Sequence, residues 1–140
     1  MNLSDIEKQP DVMDIQQLAT LFQQAILEFE CKQLQQKEFL DILIELADRQ
    51  ARTYELLEMH TRNPLDQLLC ELWNTDCYED VDSILYIVVN LGLRKCFQRI
   101  KQSIQENKHI DEAILQEINE TIVEVGEHIS NPYFDLEKYK

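Results

Sequence analysis

Glycine is nearly missing from these 140 residues: there are two, Gly92 and Gly126, alongside three prolines. β-Hairpins draw on glycine for positive φ and on proline to fix the approach to a turn. A sheet-rich fold would lack corners here, whereas helices joined by short polar loops need few breakers. The chain is therefore expected to be all-α. Basic residues are also scarce, 13 Lys and Arg against 27 Asp and Glu, for a net charge of −14. Nucleic-acid binding leans on neutralising phosphates with Lys and Arg, so this balance argues against direct contact with nucleic acid or an anionic membrane. The longest apolar run, Ile84–Val89, falls far short of the ~18 residues of a membrane span. The opening Met1–Asp14 is polar and acidic, unlike a signal peptide. Four cysteines (Cys31, Cys70, Cys77, Cys96) show no Cys-x-x-Cys spacing. They read as reduced, buried thiols of a cytoplasmic protein rather than a disulfide scaffold or zinc ligands.

What is present is apolar periodicity. The length suits one domain, and 44% apolar residues suit a globular core. The expected organisation is a flexible N-terminal arm over 1–12, a helical bundle over 13–130 and a docked C-terminal tail over 131–140. Ile15, Leu18, Phe22, Ala25, Ile26 and Phe29 mark a first amphipathic helix. A second is expected from Lys37 to His60, with Arg49 and Arg52 on its polar faces. Asn63-Pro64 reads as cap and first position of a short helix through Trp73. A helix beginning near Tyr78–Asp80 is apolar nearly all round, although Ile84–Val89 also has strong β-propensity. Gly92 either ends it as a left-handed cap or sits within a helix continuing to Asn107. Asp111 reads as the N-cap of a last helix that Ser130-Asn131-Pro132 stops. The sum is a single compact bundle of five or six helices around a central apolar one.

One acidic constellation has the types and spacing of a metal site. Glu55 and Glu58 stand three apart, as do Glu79 and Asp82. On helices, acids at that spacing share a face and can offer oxygens to a hard cation. This pattern resembles the all-α MazG-type nucleoside triphosphate pyrophosphohydrolases, whose motif is Glu-Glu-x-x-Glu, a spacer, then Glu-x-x-Asp at the start of an apolar helix. Tyr54 stands where that family has its first Glu. The resemblance covers about residues 50–92 and implies Glu55, Glu58, Glu79 and Asp82 as Mg²⁺ ligands for triphosphate hydrolysis.

The other constellation is basic. Residues 93–108 hold Arg94, Lys95, Arg99, Lys101 and Lys108 against the single acid Glu106, so they carry +4 within a chain of −14. Phe97, Ile100 and Ile104 should face the core and turn Arg94, Lys95, Arg99 and Lys101 outward, toward an acidic partner or a second copy. No glycine-rich phosphate loop and no Ser/His or Cys/His pairing distinguishes itself. The leading expectation is a small acidic cytoplasmic protein acting by protein–protein contact, without enzymatic activity or cofactor. An inhibitor, immunity or assembly-type factor that self-associates would suit this size and charge. The alternative is the Mg²⁺-dependent pyrophosphohydrolase.

Overall fold

The computed structural model describes residues 1–106, 109–126, 128 and 129. Those residues form seven helices and no strand. Two compact units divide the chain, Met1–Leu65 and Asp66–Lys140. The expected tail over 131–140 lies outside the described residues.

In the first unit the segment expected as an arm holds a helix, α1 (Leu3–Glu7). Asn2 caps it, its Oδ1 accepting from the Asp5 N–H at 2.9 Å. Ile6 is buried and α1 packs on α3. α2 (Ile15–Glu30) buries Leu18, Phe22, Ala25 and Ile26, as its periodicity predicts. α2 ends in a Schellman-type closure: the Lys32 N–H donates to Phe29 O at 3.0 Å and the Gln33 N–H to Glu28 O at 2.8 Å. That geometry needs a left-handed residue, and Lys32 supplies it at φ 63°. Across the turn, Phe29 stacks on Phe39 with ring centroids 4.4 Å apart.

α3 runs Gln36–Ala51, nine residues short of the expected end at His60. The Thr53 hydroxyl donates to Gln50 O at 2.7 Å and accepts from the Glu55 N–H at 3.1 Å, drawing the backbone out of the helix. Tyr54 follows at φ 55°. Arg49, expected on a polar face, is buried. Its guanidinium donates to Gln9 O and Pro10 O at 3.1 Å each, and to Glu45 O and Oε2 at 3.0 Å each. Gln9 and Pro10 expose carbonyls with no helix to satisfy them, and Arg49 is what satisfies them. α4 (Met59–Leu72) begins before the expected Asn63-Pro64 start, so Pro64 lies inside it. The earlier start has its own bonds, Arg62 N–H to Glu58 O at 2.8 Å and Thr61 Oγ1 to Glu58 Oε1 at 3.1 Å.

In the second unit α5 (Tyr78–Leu91) settles the helix-or-strand ambiguity of Ile84–Val89 in favour of helix. It buries Val81, Ile84, Leu85, Ile87, Val88 and Leu91, and packs on α6 and α7. Gly92, at φ 67°, is the left-handed stop. α6 (Arg94–Glu106) then starts after Leu93, which has no side-chain acceptor to cap it. Asp66 of α4 fills that role from a distance in sequence. Its Oδ2 accepts from the Lys95 N–H at 2.9 Å and its Oδ1 from the Cys96 N–H at 2.7 Å. The buried carboxylate thus meets the positive end of the α6 dipole. α7 (Glu112–Val125) has the expected Asp111 cap, Oδ2 accepting from the Ala113 N–H at 3.2 Å. It stops at Gly126 rather than at Ser130, because Gly126 takes φ 58°.

Candidate partner-binding surfaces

The four carboxylates of the metal pattern have different settings. Glu55 and Glu58 are not on a helix: both lie in the segment 52–58 that joins α3 to α4. Glu58 Oε1 is engaged locally, by Thr61 Oγ1 and by Gln23 Nε2 at 3.4 Å. Glu79 and Asp82 do open α5, as the spacing predicts. Asp82 has an acidic neighbour on α7 in Glu117, which Glu120 also approaches. Among the described residues no group of three or more His, Cys, Asp or Glu is gathered as a cation site would require.

The Asp82 neighbourhood is nonetheless electrostatically tense. Partial burial, then the adjacent Asp82, push the Glu117 carboxyl above its ordinary range, while a hydrogen bond from Tyr78 pulls it back. Glu117 Oε2 is buried without a donor. In sequence Glu117 is one of 27 acids, and only the packing of α5 on α7 sets it apart.

The segment 52–58 is held with unusual care. Gln50, fully buried, donates from Nε2 to Glu55 O at 2.8 Å, and its Oε1 is a buried acceptor with no donor. Leu57 is the inward anchor. Around it Tyr54, Leu56 and Met59 face water, Tyr54 at 57% and Met59 at 61% exposure. Gln23 Nε2 ties this segment to α2 through Thr61 Oγ1 at 2.9 Å. One turn beyond Gln23, on the same side of α2, Leu27 is also exposed. Glu55 and Glu58 rim the group. An aromatic residue in left-handed backbone and an orphaned buried acceptor each cost on the order of 1–3 kcal/mol. The first is Tyr54 of this apolar knuckle itself, and the second belongs to Gln50, whose amide holds the knuckle's backbone at Glu55 O.

No protein family, curated protein or solved structure matches this chain.

On α6, the expected pattern holds in outline. Cys96, Phe97, Ile100 and Ser103 are buried, with Ser103 rather than Ile104 completing the inner face. Arg94 and Lys95 are exposed, and Arg99 and Lys101 half-buried. Lys101 Nζ lies 5.1 Å from the Phe97 ring centroid, a cation–π contact that steadies its position. Arg99 Nη1 is 3.6 Å from Glu106 Oε2. The thiols differ from expectation: only Cys96 is buried, Cys70 and Cys77 are intermediate and Cys31 is exposed. Burial, then the neighbouring Cys70 and Asp66, push the Cys96 thiol well up. Cys70 is raised in the same direction by burial, then by Asp66. These two thiols stay protonated and make poor nucleophiles.

Proposed function

We propose that this protein is a small acidic binding module that acts by contact with another protein, with the knuckle Tyr54–Met59 as its principal surface. The observation that carries this reading is the coincidence of backbone strain, an orphaned acceptor and exposed apolar side chains in one short segment. Strain of that kind persists where the surrounding structure over-determines it, and it clusters at working surfaces. An apolar group rimmed by carboxylates also has the composition of an interface centre. The basic residues Arg94, Lys95, Arg99 and Lys101 would serve a second contact with acidic surface. A second copy of this acidic chain offers such surface, so self-association belongs to the same reading.

The test is a partner captured by the intact protein and lost by the variant carrying Tyr54→Ser, Leu56→Ser and Met59→Ser. The variant's helicity and melting must remain unchanged. Retention of every captured partner by the folded variant would defeat the reading. The competing reading is Mg²⁺-dependent triphosphate hydrolysis through Glu55, Glu58, Glu79 and Asp82. It would prevail if millimolar Mg²⁺ or Mn²⁺ raised the melting temperature and the protein consumed a nucleoside triphosphate.

A further inference from the structure

The second unit contains a cleft of about 180 Å³ lined by Trp73, Asn74, Thr75, Arg99, Ser103 and Glu106. Its chemistry is lopsided toward donors. Arg99 contributes a guanidinium. Asn74 keeps its Oδ1 for the Asp76 N–H at 2.9 Å, so the end it offers a ligand is the amide NH₂. Trp73 is only 8% exposed, and its Nε1–H is buried with no acceptor. Ser103 spends its proton on Ile100 O at 2.6 Å. The one acid in the lining, Glu106, pairs with Arg99 at 3.6 Å, beyond hydrogen-bond reach, between side chains 41% and 67% exposed. An ion pair that long and that wet contributes little and is readily exchanged.

We infer that this cleft is a seat for a carboxylate side chain of a partner polypeptide, which takes Arg99 from Glu106. A carboxylate matches the planar fork of arginine in a way a neutral group cannot. Glu106 on the same helix acts as the resident competitor, occupying Arg99 while the seat is empty. Lys95, exposed one turn earlier on the same face of α6 as Arg99, favours an acidic segment over a neutral one. The inference rests on the reading of α6 as a contact surface and needs nothing from the Tyr54–Met59 knuckle. The two can therefore fail separately.

Trp73 is the single tryptophan of the chain, so its emission reports on this cleft alone. The probe is a short blocked peptide alternating Ala and Glu, with the Gln-for-Glu peptide as control. The expected result is a saturable change in Trp73 emission with the Glu peptide and none with the control. Arg99→Gln should weaken the Glu peptide at least about tenfold, and Glu106→Gln should tighten it roughly threefold. Equal responses to the two peptides, or unchanged binding by folded Arg99→Gln, would overturn the assignment. If Arg99→Gln loses helicity, Glu106→Gln decides alone: unchanged or weaker binding rejects the resident-competitor model. Inorganic phosphate at the same concentration is the third arm. Saturation by phosphate with the same Arg99 dependence would make the cleft a free-anion site and sink the polypeptide assignment.

Discussion

The two units turn their corners by different means. The first, Met1–Leu65, contains no glycine, and its left-handed positions are held by Lys32 and Tyr54. Among its described residues, the second places Gly92 and Gly126 at its positive-φ positions. The units also anchor loose backbone with opposite charges. In the first, the Arg49 cation collects carbonyls; in the second, the Asp66 anion collects amides. The contrast shows that scarcity of glycine does not limit the number of left-handed turns. It determines which of them are strained. A relaxed stop at Gly92 simply ends a helix, whereas the stop at Tyr54 also lifts an aromatic ring into solvent.

The largest expected effect comes from breaking the anionic anchor. Asp66→Ala leaves two N–H groups without their acceptor, so the second unit should lose about 2–3 kcal/mol. Amide exchange at Lys95 and Cys96 should accelerate, while exchange in α2 and α3 stays unchanged. Next, Gly92→Ala imports into the second unit the strain that the first already carries. A cost of about 1–2 kcal/mol in denaturant unfolding is expected, because a Cβ is disfavoured at φ 67°.

The reverse experiment sharpens the contrast. Lys32→Gly and Tyr54→Gly should each stabilise the first unit, by about 0.5–1 kcal/mol, since glycine relieves the left-handed penalty at some entropic cost. Only Tyr54→Gly should also reduce partner capture. Equal loss of binding by both would show that capture does not depend on the tyrosine ring.

The smallest effect concerns the α5–α7 carboxylates. Because the Glu117 carboxyl is raised in the folded state, its favourable contribution is present at low pH and is lost as pH rises through the folded value. Glu117→Gln should then raise the melting temperature slightly near pH 7, with the gain shrinking as the pH falls through the raised folded value and gone by about 4. A gain that is constant across this range would show that packing, not charge, is responsible.

How much of this was legible in the sequence follows from the range of the forces involved. The apolar stripe of α2 and the Asp111 cap are local, and each acts within a turn or two of the residue that signals it; at Gly92 the sequence left a left-handed stop and a continuing helix both open, and the structure takes the stop. The end of α3 carries no such signal. Thr53 and Tyr54 are neither glycine nor proline, and the exit depends on hydrogen bonds to Gln50 and Glu55. Arg49 and Asp66 were illegible for a different reason. Their partners lie 39–40 and 29–30 residues away, and in sequence each is one more charge on a helix. The basic run of α6 could be read as a surface because its inward residues keep helical spacing. The cleft beside it could not, since it exists only where Trp73 meets that helix.

The bidentate grip of Asp66 has a further consequence for that cleft. Asp66, Cys70 and Trp73 occupy successive turns along one side of α4 and its end. Arg99 and Ser103 follow Cys96 along α6 in the same way. Two oxygens clasping two consecutive amides leave α6 little freedom to slide. A slip of a single turn would carry Arg99 about 5.4 Å along its axis, away from Trp73. Asp66 therefore acts as an indexing pin: it sets the longitudinal registration of α6, and with it whether guanidinium and indole address the same ligand.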